Sequence, residues 1–186
     1  MSAFFLAFLT CLLATLPGRE ALLHARLADA GASGGVLAIG WITAGLTALL
    51  SAWLAGLVAP FMNGNARLML VAFALAAAGL ELALRRHRSA PKEPTRSLGA
   101  VTLVLLAGQV GDASRFLVFA LAAFTAAPLN VTLGGMAGCG AAFTLAWLAG
   151  EDWEQKMPLR TLRFAIAGLL VLAALACAAT ARGIIG

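Results

Sequence analysis

Ala-Trp-Leu-Ala-Gly at residues 52–56 returns unchanged at residues 146–150, and this repeated pentapeptide divides the 186-residue chain into two halves. The two copies begin 94 residues apart, about half the length of the chain. Apolar residues repeat at the same offset, so that Leu9 corresponds to Leu103 and Leu23 to Leu117. The spacing predicts two copies of one structural unit.

The composition indicates that this unit lies in a membrane. Hydrophobic residues make up 62% of the chain and charged residues 11%, with a mean hydropathy of +0.95. A soluble domain is roughly half apolar and about a quarter charged. One small core cannot bury this excess, so lipid must cover part of it, and an integral membrane protein is expected. The net charge of +5 does not indicate a nucleic-acid partner, because the basic residues cluster in one loop beside the apolar segments.

Apolar segments of about 20 residues suit a hydrocarbon core about 30 Å thick. Six such segments predict an all-α membrane protein of six transmembrane helices, and the first and fourth are interrupted, near 17–18 and 108–112. The predicted spans cover residues 2–28, 33–58, 66–84, 98–126, 129–149 and 161–181. They form two three-helix repeats, residues 1–84 and 98–186, joined by a polar loop at 85–97.

An odd number of helices in each repeat predicts that the second repeat enters the membrane from the opposite side, as in inverted-topology repeats. Orientation follows from the short loops. The loop at 85–97 carries five Lys and Arg residues, and the loop at 150–160 carries Lys156 and Arg160. Because basic loops stay in the cytoplasm, both termini are expected outside and loop 85–97 inside the cell.

Polar residues interrupt the first and fourth spans at corresponding places. At the 94-residue offset, residues 15–20 align with residues 109–114. Irregular backbone within a membrane is tolerated only where protein or a watery cavity satisfies it. The i, i+3 spacing of Gln109 and Asp112 predicts that both share one helix face. A carboxylate at this depth is a candidate functional residue, and interrupted helices in two repeats are typical of secondary transporters.

These features resemble the Gdt-type family of cation/proton exchangers, and in particular its small bacterial members. The family includes calcium and manganese transporters of the Golgi and manganese exporters of bacteria. Its members have two inverted three-helix repeats, each opening with Glu-x-Gly-Asp-Lys/Arg-Thr/Ser and a Leu- and Ala-rich run. Residues 22–28 and 116–122 fit the run after the motif, and the resemblance covers nearly the whole chain.

The second copy of the motif keeps three of its five specified positions. Gly111, Asp112 and Ser114 match the family pattern. Gln109 stands in place of the family's Glu, and Ala113 in place of its basic residue.

The first copy has diverged further, since only Arg19 matches. Thr15 replaces Glu, Pro17 replaces Gly, Gly18 replaces Asp, and Glu20 stands where the family has Thr or Ser. Of the family's four acidic positions Asp112 alone remains, with Glu20 as a shifted substitute.

The resemblance implies exchange of a divalent cation, Mn²⁺ or Ca²⁺, for protons by alternating access between the two repeats. The candidate transported-ion site is Asp112, Gln109, Ser114, Glu20 and Thr15, with Arg19 and Arg115 as charge partners. A divalent cation prefers six or more oxygen ligands, and this set offers two carboxylates. An alternative is therefore that Asp112 and Glu20 only neutralise nearby arginines.

Two other functions stay open. The same architecture could carry another small solute, anionic or zwitterionic, or it could serve as a non-transporting membrane scaffold with a decayed ion site. The chain has no nucleophile, zinc or dinucleotide motif, so an enzyme and a bound cofactor are not expected. The expected partners are the lipid bilayer, the transported cation and protons. A bundle of six short spans is thin, so a homodimer is also possible. The bacterial inner membrane is the expected location.

Overall fold

The computed structural model describes residues 2–84, 98–156 and 158–183, whose regular secondary structure is helical throughout. The basic loop predicted at 85–97 lies outside the described residues. The helices are α1 Ser2–Thr15, α2 Arg19–Asp29, α3 Gly34–Val58 with a 3₁₀ turn Ala59–Phe61, α4 Gly64–Leu84, α5 Leu98–Val110, α6 Ala113–Thr125, α7 Pro128–Ala149, α8 Glu151–Lys156 and α9 Leu159–Ala181.

The first predicted interruption is a sharp bend of 65° between α1 and α2. Pro17 has no N–H to donate, and its ring clashes with the preceding helical turn, so α1 ends at Thr15. The Gly18 amide closes the turn on the Thr15 carbonyl at 2.8 Å. Gly18 then occupies the N-cap of α2 in an extended conformation. The break therefore follows from local backbone chemistry.

The second interruption bends α5 against α6 by 57°. It lies at Gly111 and Asp112, at the end of the segment expected from sequence. Asp112 is the N-cap of α6, with φ −81° and ψ 148°. Asp112 takes this extended conformation without a side-chain capping hydrogen bond, and α6 begins at the next residue. Both predicted interruptions are thus helix starts at corresponding repeat positions.

Four of the described helices are long and apolar enough to cross a membrane: α3 with its 3₁₀ turn, α4, α7 and α9. The number rises to six if each bent pair counts as one span. Large apolar side chains face outward on these helices, among them Trp53, Phe73 and Leu172, each more than half exposed. Only lipid can cover such a surface without a large hydrophobic cost. The chain is a multi-pass integral membrane protein.

Helices that correspond in the two predicted repeats pack against each other, α3 on α7 and α4 on α9. Small residues bring α1 close to α7. A Cβ atom at Gly134 would meet the Phe4 carbonyl oxygen, and one at Gly138 would meet the Phe8 carbonyl oxygen. Such close backbone approach is how helices associate in lipid, where the hydrophobic effect cannot hold them together.

The charged loop predicted at 150–160 contains a short helix, α8, that the sequence did not suggest. Gly150 ends α7 with a positive φ of 50°, and α8 begins at the next residue. The other span boundaries differ from the predicted ones by about two residues or fewer at most ends, as fraying helix ends allow.

Candidate ion site at the two helix breaks

A buried polar cluster lies where the two breaks meet. The five candidate ion-site residues are all less than a tenth exposed. The buried polar and charged residues of the described chain are Thr15, Glu20, His24, Thr43, Thr47, Gln109, Asp112, Ser114, Arg115 and Thr132. Because buried polar groups need partners, their hydrogen bonds show how this cluster is built.

Gln109 connects the two breaks directly. Its Nε2 donates to the Glu20 Oε2, at 3.1 Å, and to the Thr43 hydroxyl, also at 3.1 Å. The Thr47 hydroxyl donates to the Gln109 Oε1 at 3.0 Å. One amide therefore joins α2, α3 and α5, and it uses both its donor and its acceptor.

Asp112 forms the second part of the cluster. The Ser114 hydroxyl donates to the Asp112 Oδ2 at 2.7 Å, a short bond of the kind made to carboxylates. The position of Asp112 at the start of α6 also places its carboxylate at the positive end of a helix dipole.

The expectation that Gln109 and Asp112 share one helix face is wrong. Helix α5 ends at Val110, and Asp112 caps the next helix, which is turned by 57°. The i, i+3 rule applies only within a continuous helix. The amide of Gln109 therefore reaches Glu20, whereas Asp112 is bonded by Ser114.

Arg115 is buried within the cluster, 4% exposed. Its Nη1 donates to the Ala44 carbonyl oxygen at 3.2 Å, and its Nη2 lies 3.6 Å from the Cys139 sulfur. The Thr15 hydroxyl is 3.4 Å from the same sulfur. The side chains of Thr15 and Arg115 thus both contact the Cys139 sulfur on α7.

Arg19 takes a different position, because its side chain is 46% exposed. Its Nη2 lies 3.7 Å from the Glu20 Oε1. Gly108 permits this approach, since a Cβ atom there would stand 2.6 Å from the same oxygen. An ion pair at this distance with one half-exposed partner contributes little to stability.

His24 lies one turn beyond Glu20 on α2. Its Nδ1 donates to the Glu20 carbonyl oxygen at 2.8 Å. The imidazole stacks on the Phe143 ring with centroids 4.4 Å apart and an interplanar angle of 8°. Its Nε2 faces Gly40 and has no hydrogen-bond partner within the described chain. The ring therefore fills the contact between α2, α3 and α7.

Sequence reasoning missed three residues of the cluster: Thr43, Thr47 and Cys139. The two threonines are four residues apart on α3 and so share a face, which was the available signal. Nothing in the sequence placed that face against Gln109. Among the described residues no group of three or more His, Cys, Asp or Glu side chains is arranged to hold a metal ion.

A separate surface cleft lies at the other end of α2. It has a volume of about 310 Å³ and is lined by charged and polar groups that include Arg26, Asp29 and Glu151. None of the candidate ion-site residues lines it. The cluster at the breaks and this cleft are therefore distinct features.

Comparison with known protein families bears on the second half of the chain. The family described as "Divalent cation/proton antiporter GDT1" matches residues 97–183. This match supports the Gdt-type assignment over those residues. It covers the predicted second repeat, including the Gln109 and Asp112 break. No curated protein and no solved structure matches the chain.

Membership in a transporter family agrees with the absence of an enzyme motif in the sequence. It also agrees with the apolar helices of the described structure, so the chain is a multi-pass membrane protein whose second half is similar to the cation/proton antiporter family.

Proposed function

We propose that this Gdt-type protein is a secondary transporter that exchanges a divalent cation, Mn²⁺ or Ca²⁺, for protons. The family match supplies the antiporter class. The observation that carries the proposal is the hydrogen bond between Gln109 and Glu20, which joins the two helix breaks inside the membrane-spanning bundle. Transporter sites are built where such interrupted helices of two repeats meet.

The proposed site uses the oxygen atoms of this cluster. Asp112 and Glu20 supply carboxylates, which compensate the charge of a hard cation. Gln109, Ser114 and Thr15 supply neutral oxygens. The carbonyl ends of α1 and α5 lie at the breaks, and backbone groups of this kind coordinate ions in interrupted helices.

The proposed mechanism is alternating access. Residues 1–84 and 98–186 form two inverted three-helix repeats, and the packing of α3 on α7 and α4 on α9 supports this pairing. The repeats move against each other around the breaks. Asp112 binds the cation in one direction and a proton in the other.

Manganese tolerance of a sensitised bacterial strain without its own exporter tests the proposal. The wild-type chain should lower intracellular Mn²⁺ and restore growth, and Asp112→Asn should abolish both effects at matched membrane levels. Asp29→Asn is the control, because it makes the same change at an exposed carboxylate outside the cluster. The same strains loaded with Ca²⁺ separate the two candidate cations.

Two alternatives predict other results. A carrier of an anionic or zwitterionic solute is favoured by the buried Arg115 and by the half-helix N-termini at the breaks, which attract negative charge. It would leave Mn²⁺ and Ca²⁺ unchanged, while Asp112→Asn would still alter uptake of that solute. A non-transporting scaffold would tolerate Asp112→Asn in every transport assay. If the wild-type chain changes the intracellular concentration of neither Mn²⁺ nor Ca²⁺, export of these cations is rejected.

A further inference from the structure

A positive charge is built into the cluster. Arg115 is 4% exposed. Its guanidinium donates to the Ala44 carbonyl and to the Cys139 sulfur. A carbonyl and a thiol carry no formal charge, so neither contact is an ion pair. The Arg115 amide donates to the Asp112 main-chain carbonyl at 2.9 Å, and the Gln109 side chain at the same break donates to the Glu20 carboxylate at 3.1 Å. Two carboxylates and one guanidinium therefore share a single buried cluster.

The charge of this cluster does not match a divalent cation. With both carboxylates ionised, Asp112, Glu20 and Arg115 together carry one net negative charge. A bound Mn²⁺ would leave one uncompensated positive charge in a buried region, which is strongly unfavourable. At the first break, Gly18 stands at the position that corresponds to Asp112, so the carboxylate that could restore the balance is missing there.

The guanidinium is also not fully held in place. Its Nε has no acceptor among the described residues. Only Nη1 and Nη2 are anchored, and the contact of Nη2 with a sulfur is weak. An Arg with an unused donor can move toward a carboxylate when no cation is present, or away from it when a cation enters.

We propose that Arg115 is an internal counter-ion that competes with the transported cation for the carboxylates of Asp112 and Glu20. Its positive charge offsets one of the two carboxylates when no cation is bound, and it lowers the affinity of the site for a divalent cation. Arg115 therefore influences whether the site prefers a monovalent or a divalent cation. The inference rests on the proposed function only in taking these carboxylates as the ion site. It differs from the family motif, whose basic position is occupied by Ala113.

Mn²⁺ binding to the full-length chain in detergent, measured by electron paramagnetic resonance of free Mn²⁺ at fixed pH and salt, tests the proposal. Arg115→Gln should raise the affinity about tenfold or more, because it removes a buried like charge. Arg115→Lys keeps the charge and should stay near the wild type. Asp112→Asn added to Arg115→Gln should remove the gain.

Arg67→Gln is the matched control. Arg67 also donates to a main-chain carbonyl, that of Ala59, but it lies on α4 outside the cluster. It should change Mn²⁺ affinity by less than about twofold, since partly exposed charges are screened. An equal gain from Arg67→Gln and Arg115→Gln would overturn the proposal.

Gly18→Asp provides an independent variant if Arg115→Gln does not fold. Gly18 has φ −76° and ψ 163° at the N-cap of α2, a conformation and a position that suit Asp. It adds a carboxylate and leaves Arg115 in place, so it should also raise Mn²⁺ affinity. Wild-type affinity in both variants would overturn the proposal.

The two proposals fail in different ways. If the wild-type chain exports neither cation while Arg115→Gln and Gly18→Asp bind Mn²⁺ more tightly, the counter-ion inference holds and the transport proposal fails. If the wild type exports Mn²⁺ and neither variant binds it more tightly, the transport proposal stands and the counter-ion inference fails.

Discussion

The side-chain amide of Gln109 links the two helix breaks by a hydrogen bond to Glu20. A Glu in its place, as in the family motif, would put a second carboxylate about where the amide now lies, 3.1 Å from the Glu20 oxygen. Two carboxylates at that distance cannot both stay charged without a cation or a shared proton. The amide replaces that repulsion with a donor to Glu20 and an acceptor for Thr47.

Replacing Gln109 with Leu should therefore destabilise the protein with little change in side-chain volume. Glu20 would lose a buried hydrogen-bond donor, which costs about 1–3 kcal/mol in such a setting, whereas Thr47 keeps a main-chain acceptor on α3. Thermal unfolding of the detergent-purified protein measures the loss. Gln155→Leu, at an exposed glutamine of α8, is the control and should have little effect. Equal stability of both variants would show that the Gln109 bonds do not hold the breaks together.

At the scale of helices, the contact of α1 with α7 depends on glycines where main chain meets main chain. Gly134 and Gly138 are one turn apart on α7 and both lie against carbonyl oxygens of α1. Backbone atoms cannot move aside as a flexible side chain can. The same helix contact places Cys139 next to the first break, where its sulfur lies 3.4 Å from the Thr15 hydroxyl. The packing of these helices thus positions part of the site.

Gly138→Ala should separate α1 from α7. The new methyl group would collide with the Phe8 carbonyl oxygen and stand about 3.0 Å from the Leu12 nitrogen. Overpacking of this kind costs about 1–3 kcal/mol. Thermal unfolding in detergent checks the result against Gly168→Ala, a glycine of α9 with open space around its Cβ position. Equal unfolding temperatures for Gly138→Ala and Gly168→Ala would contradict the close-contact explanation.

For the molecule as a whole, the number of membrane crossings depends on the two bent pairs. Their bends of 65° and 57° allow two arrangements. If each pair crosses the membrane once, the chain has six spans and the repeats are inverted. If each pair returns to the side it entered, four spans remain. The two arrangements place the N-terminus and the 85–97 loop differently.

Cysteine labelling in whole cells decides between them. Single cysteines at Ser2 and Ser89, in a background with Cys177 replaced by Ser, report the N-terminus and the loop. We expect a membrane-impermeant thiol reagent to label Ser2→Cys from outside and Ser89→Cys only after the membrane is opened, because six spans put these sites on opposite sides. Cys11 and Cys139 are buried and should stay unlabelled. Labelling of both sites from outside would instead support four spans.

The sequence by itself determined the membrane class, the helical fold and the places of both breaks. These features depend on local chemistry: long apolar segments require lipid, Pro17 cannot continue a helix, and Asp112 after Gly111 starts a new one. The Gdt-type resemblance depended on the same local pattern, and the family match bears it out over residues 97–183. The candidate ion-site residues are all buried, and their role in binding an ion stays a prediction.

Only the tertiary structure decided which groups meet. Gln109 bonds Glu20, which is 89 residues away, and Thr47, which is 62 residues away. Arg115 is anchored by Ala44 and Cys139 from two other helices, and no pattern in the sequence pointed to either. The angle of each bend and the packing of α3 against α7 set these distances. Such contacts depend on how helices far apart in sequence are arranged, so residue types and local spacing could not specify them.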